Sequence, residues 1–182
     1  MARRIVALCG QKRVGKDTVA AFLQASRGYR HLKFTQQLKD GLGRFFGFTP
    51  DQMEGPRKDE VDARWGVTPR SVMQWMGTEV MQHELQQLIP GVGRTFWAAQ
   101  LAARIREDGG PVVISDMRFL HEYTCLKREF GADLVTVRLR RSLELGADAH
   151  ASETECDSVP ADYELLNDGT VDELLAAVGR FM

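Results

Sequence analysis

Two stretches of the chain are apolar at every position, not at every second one: Ile5-Val6-Ala7-Leu8-Cys9 and Val112-Val113-Ile114. A strand with one wet face alternates, so these runs predict strands covered on both faces. After the first run, Gly10 to Gly15 reads as a loop. Beyond it Val19, Ala20, Phe22 and Leu23 recur at helical spacing and predict a helix from Lys16 to about Gln24. A short strand is expected at 31–34, a helix at 38–46 and a turn-rich stretch at 47–55. Thr68-Pro69 is the clearest helix start, with an N-cap hydroxyl followed by proline at the first helical position. That helix should run to about Leu88 and stop before Pro90-Gly91; another spans about 95–107 and ends at Gly109-Gly110-Pro111. A helix at 119–130 and a strand at 134–139 follow. Residues 140–159 show little apolar periodicity and read as a long mobile segment, before a short strand at Leu165-Leu166 and a closing helix at 171–181. Strands alternating with helices predict an α/β fold, a parallel sheet flanked by helices, with ligands beyond the carboxyl ends of the strands.

The 182 residues point to a single domain, 1–182, able to bury about 70% of the surface its unfolded chain exposes. The 24 basic and 25 acidic residues leave a net charge of −1, which speaks against a protein that coats nucleic acid. Cys9, Cys125 and Cys156 are odd in number and far apart, which argues against a disulfide framework and for a reducing compartment. The run Ile5 to Cys9 is too short for a signal-peptide core, and no apolar stretch approaches a membrane span, so the expectation is a cytoplasmic protein.

The chemistry starts in the first loop. Gly10-Gln11-Lys12-Arg13-Val14-Gly15-Lys16-Asp17-Thr18 has the spacing G-x-x-x-x-G-K between a strand and a helix. The glycines let successive backbone N–H groups converge on phosphate oxygens, the helix N-terminus adds partial positive charge, and Lys16 can reach the β- and γ-phosphates of ATP. The usual pattern places Ser or Thr after the lysine to hold Mg²⁺; here that place is Asp17, with Thr18 next. Asp17 can ligate the metal directly or through water, or serve as a first-turn acid.

Ser115-Asp116-Met117-Arg118 ends the second buried strand. Asp116 can hold Mg²⁺ or act on the acceptor, and it can equally cap the next helix; Arg118 can grip a phosphate, and Glu122 stands four residues on, where it can pair with Arg118. Between the two strands, Arg70 starts a helix, with Gln74 and Thr78 on roughly the same face and Glu79 beside them. This stripe suits an acceptor, its phosphate on Arg70 with Lys39 as a further contact, its base or sugar on Gln74, Thr78 or Glu79. Trp75 can stack on a base or simply fill a core. Arg138, Arg140 and Arg141 lead into the aperiodic segment holding His150, Ser152 and Glu153, a candidate lid that would exclude water and neutralise a transferring phosphoryl group.

Together these motifs resemble the phage-type deoxynucleoside monophosphate kinases. The shared residues are the G-x-x-x-x-G-K-D-T loop, Trp65-Gly66-x-Thr68-Pro69-Arg70, Gln74, Gly77-Thr78-Glu79, Ser115-Asp116-Met117-Arg118-Phe119, His150-x-Ser152-Glu153 and Asn167-Asp168-Gly169-Thr170. The resemblance implies a three-layer P-loop kinase fold, with a helical acceptor-binding insertion at about 36–108 and a lid at about 140–159. It implies ATP as donor and a deoxynucleoside 5′-monophosphate as acceptor. It places Arg70 and Glu79 at the acceptor site, Arg140 and Arg141 in the lid, and Asn167 to Gly169 near the donor adenine. His121 stands where the family often has asparagine. A homodimer is suggested by the resemblance. The expected catalytic groups are Lys16, Asp116, Arg118, Arg140 and Arg141. ATP falls to Gly10, Lys12, Arg13, Val14, Gly15, Lys16, Asp17, Thr18, Asn167 and Gly169, and the acceptor to Lys39, Arg70, Gln74, Trp75, Thr78, Glu79 and Glu153. Mg²⁺ falls to Asp17, Thr18 or Asp116. The rivals are another small-molecule kinase on the same fold, of the dephospho-coenzyme A or phosphomevalonate type, and a nucleotide-dependent regulatory module that hydrolyses ATP.

Overall fold

The computed structural model describes residues 4–142 and 155–180. Among these, five strands form one sheet in the order 2-3-1-4-5: β1 (Ile5–Cys9), β2 (Arg30–Leu32), β3 (Val112–Ile114), β4 (Leu134–Arg140) and β5 (Tyr163–Leu166). Every pairing is parallel. β1 is central, with Ile5 opposite Val112 on one side and Leu134 on the other. All five of its residues are buried, which explains why its sequence does not alternate.

Helices flank the sheet: α1 (Lys16–Arg27), α6 (Phe96–Asp108), α7 (Leu120–Phe130) and α8 (Val171–Gly179). α1 and α8 share a core with the sheet, Val19 and Leu23 packing with Leu139, Leu174 and Val178. α6 buries Ala98, Leu101, Ala102 and Ile105, the three- and four-residue spacing of an amphipathic helix. Because the strands are parallel, their carboxyl ends share one edge, where Gly10, Lys33, Ser115, Arg141 and Asn167 follow β1, β2, β3, β4 and β5.

The chain forms two compact units. The sheet unit comprises 1–33 and 98–182, and the second comprises 34–97. The second contains α2 (Thr35–Phe46), α3 (Pro50–Glu54), a turn at Pro56–Asp59 and a long helical stretch over 69–88. Its core is Leu42, Phe48, Met53 and Val72. The stretch expected as turns at 47–55 holds α3, closed by a reciprocal cap: the Gln52 N–H donates to the Thr49 hydroxyl, and the Thr49 N–H to the Gln52 side chain. The long stretch starts as expected, with Thr68 accepting from the Ser71 N–H and Pro69 in the first turn. It is α-helical over α4 (Pro69–Gln74), winds with π-helical bonding over Trp75–Glu84, and closes as α5 (Leu85–Leu88).

Candidate active site

The loop after β1 is built by backbone geometry. Gly10 has φ 134°, Arg13 φ 63° and Gly15 φ 100°, the left-handed region that costs most side chains steric strain. A Cβ at Gly10 would strike the Leu139 carbonyl oxygen, and one at Gly15 would lie 2.8 Å from the Asn167 amide nitrogen. Val14 turns inward and joins the core beneath the loop, while Lys12 and Arg13 lie on its exposed side. Lys16, on the first turn of α1, donates to the Gly10 carbonyl at 2.7 Å and the Gln11 carbonyl at 2.6 Å. Its pKa lies below the ordinary lysine value, chiefly through burial and then through the charge of Arg118, with Asp17 opposing. Lys16 and Arg118 therefore bring two cations to one place.

Asp17 is exposed, yet it is held. Its Oδ1 accepts from the Ser115 hydroxyl at 3.0 Å and from Lys33 Nζ at 3.0 Å. Ser115 Oγ in turn lies 2.7 Å from His31 Nε2. Burial works against the Asp17 carboxylate, but the Lys33 hydrogen bond and charge and then Ser115 outweigh it, so its pKa is lowered. His31 is also lowered, by burial first and the Lys33 charge next; Asp17 and Asp116 both act on it in the opposite sense, so both acids lie near the imidazole. Asp116 and Arg118 sit half-buried between β3 and α7. The expected Arg118–Glu122 ion pair takes a different form. The Glu122 carboxyl accepts from the backbone N–H groups of Arg118 at 2.8 Å and Phe119 at 3.0 Å, so Glu122 caps the start of α7. Burial pushes the Glu122 carboxyl up to about 8.

Residues after β5 brace the loop. The Asn167 side-chain amide donates to the Val14 carbonyl at 3.0 Å, and Gly169 leaves room for Glu173 to fold back on Thr170 at the start of α8. Arg138, grouped by sequence with the lid arginines, is instead 8% exposed: it bonds Glu164 at 2.6 Å and donates to the Asp157 and Val159 carbonyls, pinning the chain that leads into β5. Arg140 is half exposed and lies near Asp157 and Glu164 at 3.8 and 3.6 Å. Arg141 is exposed, and its charge reaches Asp168, which accepts from Ser142. Most of the expected lid, with His150, Ser152 and Glu153, lies outside the described residues.

In the second unit, Arg70 pairs two-pronged with Asp59, through Nε to Oδ1 and through a terminal nitrogen to Oδ2 at 3.0 Å. Lys39 pairs with Glu54 at 2.6 Å. Gln74, Thr78 and Glu79 are exposed. Trp75 is 59% exposed and so is not a core residue. Trp65 stacks edge-on against Phe46 and donates to the Phe46 carbonyl at 2.9 Å.

A family model for deoxynucleotide monophosphate kinases matches residues 57–178. The chain belongs to the deoxynucleotide monophosphate kinase family. A relative in Acanthamoeba polyphaga mimivirus, named "Putative deoxynucleotide monophosphate kinase", is 30% identical over 96% of this chain and 93% of its own. Among solved structures, shikimate kinase from Aquifex aeolicus superposes with a TM-score of 0.56 at 12% identity, covering 97% of this chain and 94% of that one. A gluconokinase from Sinorhizobium meliloti gives 0.51 at 14% identity, over 99% and 93%. Dephospho-CoA kinase from Campylobacter jejuni gives 0.51 at 10%, over 97% and 94%. At such identities these likenesses establish the P-loop kinase fold alone.

Within this kinase, the sheet edge gathers a main-chain cradle, the cations Lys16, Lys33 and Arg118, and the carboxylates Asp17 and Asp116. Asp17, Thr18 and Asp116 offer hard oxygen atoms of the kind Mg²⁺ takes when nucleotide phosphates complete its shell. Among the described residues no three His, Cys, Asp or Glu side chains converge as a self-sufficient metal cage. Nor is any described helix long and apolar enough to cross a membrane. Sequence reasoning missed Lys33, His31 and Asp59. His31 and Lys33 carried a faint signal, being two residues apart within a predicted strand and so on one face.

Proposed function

We propose that this kinase transfers the γ-phosphoryl group of ATP, with Mg²⁺, to a deoxynucleoside 5′-monophosphate, yielding the diphosphate and ADP. The observation that carries the reading is the cradle of Gly10 to Gly15, with the Lys16 ammonium folded over it and the Arg118 charge alongside. Family membership and the mimivirus relative's name favour a deoxynucleotide as acceptor.

An oxygen of the acceptor phosphate attacks the γ-phosphorus in line as the bond to the β,γ-bridging oxygen breaks. The attacking phosphate is already largely ionised near pH 7, so no strong general base is needed. Lys16 exchanges the Gly10 and Gln11 carbonyls for phosphate oxygens and, with Arg118, offsets the charge that spreads over the transferring group. Asp17, Thr18 and Asp116 are the residues that would hold Mg²⁺, which would supply positive charge against the phosphates when ATP is bound. Asn167 keeps the loop in shape through Val14. Arg140 and Arg141 stand at the end of β4, where the proposed lid begins. Arg70, aided by Lys39, takes the acceptor phosphate, and Gln74, Trp75, Thr78 and Glu79 face its sugar and base.

Lys16→Ala is expected to lower transfer by at least about a hundredfold while leaving the melting temperature nearly unchanged. Normal turnover in that variant would reject the assignment. Arg70→Ala should raise the acceptor KM about tenfold or more and leave the ATP KM nearly unchanged. A coupled assay over the common nucleoside and deoxynucleoside monophosphates, with dephospho-coenzyme A and water as competing acceptors, separates this reading from its rivals.

A further inference from the structure

In this kinase a carboxylate occupies the place directly after the loop lysine where a short hydroxyl is usual. A carboxylate there brings full charge and more reach, but also more freedom. The Asp17 side chain is 74% exposed, so packing does not fix its rotamer. What fixes it comes from two other elements. Lys33, just past β2, and Ser115, just past β3, both donate to Oδ1. Ser115 is only 2% exposed, so the donor is itself immobilised. No donor among the described residues meets Oδ2.

Proton counting sets the direction of the chain. An ionised carboxylate only accepts, so the single Ser115 proton goes to Asp17. Ser115 Oγ must then accept from His31, and the imidazole carries its proton on Nε2. The sequence His31 Nε2–H to Ser115 O–H to Asp17 is a run of donors aligned head to tail, each polarising the next. We infer that His31, Ser115 and Lys33 are positioning residues that clamp Oδ1 of Asp17 and leave Oδ2 to face the Mg²⁺ that travels with ATP, or a water bound to it. This rests on the Mg²⁺–ATP reading of the loop. Removing partners that orient a metal-holding carboxylate typically costs 10–100-fold in metal affinity.

Two measurements test it. The first uses the unmodified, nucleotide-free protein: nitrogen chemical shifts of the His31 ring should show a protonated Nε2 and an unprotonated Nδ1. A proton on Nδ1 overturns the relay. The second is a Mg²⁺ titration at fixed ATP, followed both by turnover and by binding of a non-hydrolysable ATP analogue. His31→Ala and Ser115→Ala should each raise the Mg²⁺ concentration for half-effect about tenfold, with analogue binding in the absence of Mg²⁺ unchanged. His31→Gln, which restores an N–H donor, should recover much of the loss. An unaltered Mg²⁺ requirement in both alanine variants, with the parent binding the analogue normally, overturns the inference and leaves the proposed function standing. Absence of analogue binding in the parent defeats the proposed function itself, while the ring shifts still decide the relay.

Discussion

Arg70 meets Asp59 through both prongs of its guanidinium, and both side chains remain substantially exposed, 42% and 57%. An ion pair in water is worth little, because solvent screens it and two long side chains must be held still. A phosphate dianion offers the same fork two charges instead of one, so in the acceptor role proposed for Arg70 the incoming phosphate would displace Asp59. The Arg70 hydrogen bond holds the Asp59 carboxyl below the usual carboxylate range, so the competition persists at every pH at which the enzyme would work. Asp59→Asn is therefore expected to lower the acceptor KM severalfold, with the ATP KM and the melting temperature unchanged; initial rates over both substrates provide the check. An unchanged acceptor KM would detach Arg70 from the acceptor phosphate. Arg70 was legible in the sequence because it follows a Thr-Pro helix start. Asp59 was not, because it lies eleven residues away on a separate turn.

At the scale of elements, the helix beginning at Thr68 shows both the reach and the limit of local signals. Its start is legible because an N-cap hydroxyl and a first-turn proline act on adjacent backbone groups. Thr68→Ala leaves the Ser71 N–H without its acceptor and should cost about 1 kcal/mol, read as a lower denaturant midpoint with an unchanged slope. The interior is another matter. Around Gly77 the helix winds with longer-range bonding, and the Gly77 carbonyl accepts from Trp97 Nε1 at 2.9 Å and from the Gln82 side chain at 3.2 Å. A Cβ at Gly77 would lie 2.8 Å from Leu38, so glycine permits the approach of α2. The Trp97 contact leaves no periodic trace, since its donor stands twenty residues on, outside the stretch. Trp75 on the same stretch is exposed, which favours its use on a ligand over its use in a core. The opposite lesson comes from α3. Thr49-Pro50 with Gln52 is a helix start of the same kind, but five residues are too few for periodicity, and the flanking Gly47 and Gly55 read as turns.

Across the whole molecule, stability depends on where charge is buried. Glu122 is 7% exposed, and burial is the largest influence on it, raising its carboxyl from the ordinary 4.5 to about 8 against two backbone hydrogen bonds that favour the anion. The folded chain holds this proton more tightly than the unfolded one, so the contribution is complete below about pH 4.5 and is lost as pH rises through about 8. Glu122→Gln keeps an acceptor for both N–H groups but cannot ionise. Relative to the parent, the variant should gain at least about 1 kcal/mol between pH 5 and pH 8; denaturant melts of both proteins across that range measure the difference, and a constant difference would refute the assignment. The sequence by itself determined the buried strands, the glycine-built loop, the alternation of strand and helix and the helix start at Thr68. Each of these is set by steric limits or periodicity within a few neighbouring residues. Only the tertiary structure decided the strand order and which charges meet. Lys16 folds onto the carbonyls of its own loop, Arg138 is a buried brace and not a lid residue, and Asp17 is held by a serine 98 positions away. Hydrogen bonds and ion pairs act through distances in space, and one-dimensional order encodes those distances only after the parallel sheet has brought the ends of its strands to a common edge.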